Sequence, residues 1–218
     1  MKNIFLIVIL LISTITFSQK KNYNQFSADF NFGMSLPITP IPDGRKAGDF
    51  NGYSHFELGT RYMILPEIGV KLSYAHEKFQ DKNIKSNDLV YNSFKLQAVS
   101  NLVYLFGFEG DLWDSVGLLA HAGGGITFAN PIAAENNEKV GSLIFGISPL
   151  YRLGDKFAVN ADFSYTLTTK QHFGFDGQLI EPNFPSDEGF EAFTGGYVNI
   201  SVGIIYYIGK NIDHADWL

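Results

Sequence analysis

The chain contains no cysteine. That excludes disulfide bonds, thiolate metal centres and a lipid-modified cysteine anchor. It is also short of positive charge, with 16 Lys and Arg against 22 Asp and Glu. Nucleic acid is excluded as a partner on that balance, because a phosphate backbone demands a basic surface. Beyond residue 18 no apolar run is long enough to cross a bilayer as a helix. No helical region of useful length, internal repeat or low-complexity tract is visible either. What the chain does have is aromatic residues at 15% and 22 glycines, a composition suited to strands that are apolar on one face only.

The N-terminus is set apart from the rest. Lys2 precedes a short apolar core from Ile4 to Ile15, and Thr16-Phe17-Ser18 supplies small residues where a signal peptidase reads. Residues 1–18 are therefore expected to be a cleaved export signal, followed by a β-barrel over 19–209 and a periplasmic tail over 210–218. Without Lys2, 15 basic residues face 22 acidic ones, a net charge of −7. The mature length fits a single β domain.

Between Phe157 and Leu167 every second residue is apolar: Phe157, Val159, Ala161, Phe163, Tyr165, Leu167. Ala158, Asn160, Asp162, Ser164 and Thr166 stand between them. This two-residue period is that of a strand, and a run of about ten residues crosses a bilayer when tilted. The same pattern predicts eight strands, near 25–36, 54–64, 68–79, 90–106, 115–129, 140–153, 157–168 and 196–208. In the fifth, Gly123-Gly124-Gly125 marks either a bulge or close packing. Pro149 interrupts the sixth, where it cannot donate a ladder hydrogen bond, and a local bulge is expected there.

The connections alternate. Leu65-Pro66-Glu67, Gly107 to Asp114 and Gly154-Asp155-Lys156 are short, whereas 37–53, 80–89, 130–139 and 169–195 are long. An up-and-down meander inserted from the periplasm has this form, with long loops outside and both termini inside. The fold class expected is an eight-stranded antiparallel transmembrane β-barrel.

A soluble eight-stranded barrel would turn its large apolar residues inward around a ligand, whereas a membrane barrel turns them out. Here one face is almost wholly apolar and the other carries charge. Inward projection of the polar face gives Asp29, Glu57, Glu77 and Asp162 against Arg61, Lys71, Lys95 and Arg152. Gln97, Asn101, Asn160 and Ser164 join them in an expected interior network, together with Asn31 and Ser73. Four acids and four bases balance, as a closed interior needs, since an unpaired buried charge costs several kcal/mol. Tyr62, Tyr104, Phe106, Tyr151, Phe157 and Tyr206 fall where an inner aromatic girdle is expected. Tyr53, Phe56, Tyr74, Phe128 and Tyr165 fall where an outer one is expected.

These patterns resemble a known family. Leu143 to Gly177, LIFGISPLYRLGDKFAVNADFSYTLTTKQHFGFDG, resembles the N-terminal barrel of OmpA-family proteins of Bacteroidota. Gly59-Thr60-Arg61-Tyr62, Phe94 to Asn101, Leu118 to Gly123 and the ending His214-Ala215-Asp216-Trp217 are similar too. The resemblance implies an eight-stranded outer-membrane anchor, usually followed by a periplasmic peptidoglycan-binding domain. Leu218 ends the chain where that second domain would begin, so no peptidoglycan-binding residue carries over. Insertion by the barrel-assembly machinery is expected to read Val202 to Ile208.

Chemistry is sparse. A lipid-A deacylase-like site would need a serine, a histidine base and an orienting acid. His76 with Glu77, or His121 with a nearby serine, could be drawn into one, but His76 and Glu77 point to opposite faces of a strand. Gly123-Gly124-Gly125 lacks the lysine and helix of a phosphate loop. Asp176, Glu181, Asp187 and Glu188 could hold calcium, although a solvated external loop is the simpler reading. Asp176-Gly177 reads as a turn. Phe173, Phe175, Phe184, Phe190 and Phe193 stand out in the same loop. They pack it on itself, touch lipopolysaccharide or bind an outside partner, in that order of preference. The expected protein is a monomeric, non-enzymatic anchor or surface-interaction barrel with no cofactor and no metal. Its partners would be outer-membrane lipid or lipopolysaccharide and an unidentified extracellular partner at 169–195. The rivals are a lipid-A-modifying enzyme and a small channel or complex subunit.

Overall fold

The computed structural model describes residues 23–39, 46–50, 54–80, 88–131, 137–178 and 193–217. The export signal lies outside them, as do Tyr53 and the loop residues Glu181, Phe184, Asp187, Glu188 and Phe190. Period-two alternation becomes eight strands: β1 (Phe26–Thr39), β2 (His55–Met63), β3 (Ile68–Gln80), β4 (Asp88–Asn101), β5 (Val116–Pro131), β6 (Glu138–Arg152), β7 (Phe157–Gln171) and β8 (Phe193–Ile208). Each pairs antiparallel with its sequence neighbours, and β1 pairs with β8 (Phe26 opposite Ile208) to close the barrel. No sheet edge is left to recruit a foreign strand.

The two faces differ sharply. Phe30, Leu72, Leu96 and Val202 are 51, 56, 62 and 66% exposed, while Glu77 and Lys95 are 0 and 2%. Large apolar side chains therefore form an outer belt, and the charges lie within the wall. One end carries both described termini and the short connections 64–67, 102–115 and 153–156; the other carries the long loops.

Three expectations are corrected. The fourth strand stops at Asn101 rather than 106, because Leu102–Phe106 is one turn of helix, α1. Period two is lost in this wholly apolar run. Asn101 caps it by accepting from the Val103 amide (3.1 Å), and Gly107 ends it at φ 63°, a conformation open to glycine. Tyr104 and Phe106 thus sit on a helical turn, not in a strand girdle. Pro149 makes no bulge: Ile147 faces Phe163 and Leu150 faces Asn160 in one continuous register, with the two pairs between them missing. The register shift of β7 against β8 lies between Thr168 and Gln171 instead, around Lys170 at φ 60°. Beside Pro149 the outer belt is indented by a groove of about 730 Å³ floored by Ala161 and Gly203.

Of the two readings of the β5 glycines, the structure shows close packing. Both neighbouring registers run through Gly123 without a shift, and a Cβ there would strike the β4 backbone at Leu96 and Gln97. Gly59 makes room inside, where a Cβ would stand 2.7 Å from both the Asp29 carboxylate and Lys71 Cε.

Candidate functional site

The interior is organised in three layers. In the middle, strand alternation brings charges from β1 to β4 onto one inner surface. Lys71 Nζ lies 2.8 Å from Asp29 and 2.7 Å from Glu57. Lys95 Nζ lies 3.1 Å from Glu57 and 3.4 Å from Glu77. His55 adds a nitrogen 3.4 Å from Glu77. Asn31 donates to Asp29 (3.0 Å), and Asn160 donates to Asn31 (2.7 Å), linking β1 to β7. With two acids around each lysine, Glu57 is the carboxylate shared by both bases.

Asp162 on β7 finds a partner that the charge count missed. His121 Nε2 lies 2.9 Å from Asp162 Oδ2, and Ser148 Oγ donates to that same oxygen at 2.5 Å. His121 Nδ1 is 2.6 Å from Gln97 Oε1. Serine, histidine and aspartate are thus brought together, with both other side chains on the acid. A hydrolytic relay needs the serine on the histidine instead.

The remaining sequence-selected residues divide. Arg61 is buried near the terminal end. Arg152 stands apart at that rim, 3.7 Å from Asp213 and 3.9 Å from Asp155, because β6 ends there and its side chain turns toward the connections. Asn101 is buried but serves as the cap of α1. Ser73 and Ser164 are buried on the inner face.

At the loop end a cluster of aromatic side chains is buried inside the barrel. Phe79 contacts Phe175 (ring centroids 4.6 Å), Tyr197 (5.4 Å) and Tyr91 (5.5 Å), and Phe50 joins the same buried cluster. Phe173 and Phe175 are 7 and 0% exposed, so these two loop phenylalanines are not surface residues. Asp176-Gly177 forms a turn as expected: Gly177 has φ 73°, and Asp176 Oδ1 accepts from the Gln178 amide.

At the terminal end the chain's own tail folds up into the barrel mouth. His214, Ala215, Asp216 and Trp217 are all 4% exposed or less. Arg61 pairs with Asp216, Tyr207 donates to Asp216 (3.0 Å), and Trp217 Nε1 donates to the Tyr207 hydroxyl (3.0 Å). The His214 ring stacks on Tyr207 with centroids 4.1 Å apart. Burial pushes the His214 imidazole down to about 4, against the pull of neighbouring Asp216, so it is neutral near pH 7. Asn24, just before β1, ties the tail to the closing seam. Its amide donates to the Asp213 carbonyl, its carbonyl accepts from Ala215, and its side chain brackets Asn211 (2.7 and 3.1 Å). Trp217 then packs with Val99, Leu119, Leu150, Ala158 and Ile205 as an apolar floor.

Asp216, His121, His55 and Tyr207 were absent from the sequence-selected network. Arg61 carried the available signal for Asp216: it is an inward base near the terminal end, and its strand neighbour Asp29 is taken by Lys71. Above the floor lies a cavity of about 30 Å³ bounded by Asp29, Lys71, His121, Ser148 and Asn160, room for a water or two. Among the described residues no group of three or more His, Cys, Asp or Glu could hold a metal ion.

The fold belongs to a known class. The chain is similar to Neisserial surface protein A, NspA (TM-score 0.55, 10% identity, covering 84% of this chain and 97% of that one). It is also similar to the N-terminal β-barrel domain of Pseudomonas aeruginosa OprF (0.49, 11%, 85% and 99%). A third is Ail, the attachment invasion locus protein of Yersinia pestis (0.46, 16%, 84% and 99%). The architecture is that of an outer-membrane eight-stranded up-and-down barrel. No protein-family model and no curated protein matches the chain.

Proposed function

We propose that this chain is a non-enzymatic, monomeric outer-membrane barrel that serves as an anchor or surface-interaction protein. The observation that carries this reading is the inversion of the two faces. Apolar side chains about half exposed ring the outside, and the described interior charges are paired across strands. Water is a poor solvent for such a belt and lipid a good one.

The loop end then faces outward and presents the four long connections, and the terminal end faces the periplasm. In this reading residues 1–18 are a cleaved leader, and the barrel-assembly machinery reads the end of β8. Lipid or lipopolysaccharide covers the belt, and an extracellular partner meets the segment 169–195. The Bacteroidota-type OmpA resemblance supports the same assignment. The aromatic layer and the docked tail support an interior closed to ions. The Ser148–Asp162–His121 connectivity favours a structural role over hydrolysis.

Electrophoresis of boiled and unboiled samples tests the barrel, and planar-bilayer recording tests the closure. A heat-dependent mobility shift without conductance steps is expected; steady steps would overturn the closed interior. Unchanged acylation of lipid A in expressing cells would remove the enzymatic rival.

A further inference from the structure

The terminal end holds a cleft of about 380 Å³ between α1 with its following connection and the docked tail, within the size range of small-ligand sites. Its aromatic wall is Tyr104, Phe108, Trp113 and Trp217. Phe108 and Trp113 stack nearly parallel, with centroids 5.0 Å apart and planes inclined by 22°, as a flat shelf. The charged lining is Glu109, Asp114, Asp213 and Asp216 against Arg152 alone.

Arg152 offsets only one acid of this set, Asp213, and holds it by charge without a hydrogen bond. Its nearest carboxylate contacts, 3.7 Å to Asp213 and 3.9 Å to Asp155, are beyond hydrogen-bond reach. Glu109 and Asp114 stand exposed on the rim. Asp216, in the inner wall, is 3% exposed; its Oδ2 is taken by Arg61 and Tyr207, and its Oδ1 has no hydrogen-bond partner. A buried carboxylate oxygen left unpaired is costly, and a donor entering from the cleft would relieve it.

We propose that this cleft binds a cationic group, a primary ammonium or a guanidinium, from the periplasmic side. Three features select that chemistry. With Asp216 paired to Arg61 and Asp213 near Arg152, the rim carboxylates Glu109 and Asp114 leave the lining net negative and attract a cation. The unpaired Asp216 oxygen accepts its hydrogen bond, and the aromatic shelf offers π faces to its charge. An anion would find one guanidinium among four acids. The ligand is either a free amine or the Lys or Arg side chain of a periplasmic polypeptide. The location rests on the membrane orientation proposed above; the chemistry rests on the cleft alone.

The chain reports on its own site, because its two tryptophans, Trp113 and Trp217, both line the cleft. The full chain, refolded in zwitterionic micelles, is titrated with 1,5-diaminopentane, butylguanidinium and a blocked Gly-Lys-Gly peptide while tryptophan emission is followed. Butylurea and glucose serve as neutral controls. A saturable change is expected with the cations alone, weakening at high salt. The rim variant Glu109→Gln with Asp114→Asn, which touches no buried contact, is expected to weaken binding about tenfold. Arg152→Gln is expected to tighten it by removing the resident cation.

Stronger binding of the peptide would point to a polypeptide ligand, stronger binding of the diamine to a free one, and either supports the site. Equal response to butylurea, response to glucose alone, or indifference to the rim variant would overturn it. A heat-modifiable sample that binds no cation overturns the site and leaves the barrel reading intact. A chain that forms no heat-modifiable barrel overturns both.

Discussion

Lys95 is the sharpest probe of the interior, because its ammonium is 2% exposed as a residue and has two acidic partners of unequal security. Glu57 is also held by Lys71 at 2.7 Å, whereas Glu77 keeps only His55 at 3.4 Å once Lys95 is gone. At an effective dielectric near 20, a unit-charge contact of 3.1 to 3.4 Å is worth about 5 kcal/mol before desolvation. The net cost of stranding one buried partner is about 3–5 kcal/mol. Lys95→Met is therefore expected to destabilise by that amount, with nearly all of the penalty at Glu77. Glu77→Gln leaves Lys95 paired to Glu57 and should cost about 1–2 kcal/mol. Combining the two removes the ion pair while Glu57 keeps Lys71, so the double variant should be more stable than Lys95→Met alone. Urea unfolding of the refolded chain, read by gel mobility of unboiled samples, gives all corners of the double-mutant cycle. Additive losses, with no coupling of at least about 2 kcal/mol, would refute the stranded-carboxylate account.

Val202→Arg, placed on a position 66% exposed in the apolar belt, should cost about 2–4 kcal/mol or block insertion; insertion at unchanged stability would place the belt outside lipid. Asp162→Ala should cost about 1–3 kcal/mol by leaving His121 and Ser148 without their shared acceptor. Asp162→Asn should recover part of that loss, and equal urea midpoints for all three chains would contradict it. Tail docking should weaken on acidification. The undocked His214 takes up a proton near 6.5 and the docked one only near 4, so docking is full above about pH 6.5 and fades as pH falls toward 4, by roughly 3 kcal/mol in all. Trp217 emission should shift to the red across that window, and a flat profile matching that of His214→Gln would show that the imidazole is not the titrating group.

The barrel was legible in the sequence because two independent regularities agreed. Strand alternation separates belt from interior, as Phe163 and Val202 show against Asp162 and Ser201. The alternation of long and short connections separates the two ends. Where local chemistry broke the period, the reading failed for identifiable reasons. Leu102 to Phe106 is apolar on every residue, so strand and helix patterns coincide there. Asn101 before it and Gly107 after it were the caps that would have decided the matter. Pro149 suggested a bulge, but a proline needs only its own ladder bond to be dispensable, and a gap of two pairs provides that without moving the register. Lys170, where the ladder does slip, is a residue type that no turn rule singles out.

The interior was only half legible, and the missing half has one physical cause. Alternation assigns a face to each strand residue but says nothing of which side chain meets which across the lumen, or of any group outside the strands. Asp29, Lys71, Glu57 and Lys95 sit on adjacent strands, so inward projection alone brings them together. Arg61 projects inward as well, yet its acid is Asp216, which arrives from a tail with no period at all. Asp29, two residues along β1 from the Ser27 that faces Arg61, is taken by Lys71, so the partner of Arg61 comes from something non-periodic that enters the barrel. The hydrogen bonds of Asn24 to residues 211–215 show where it enters, beside the β1–β8 seam. The tail therefore acts on closure as well as on the interior. The two strands it bridges are farthest apart in sequence, so their pairing bears the largest loop-closure cost of any pair in the barrel. A tail that neutralises Arg61 and binds the segment entering β1 favours that last pairing over an open sheet with two free edges.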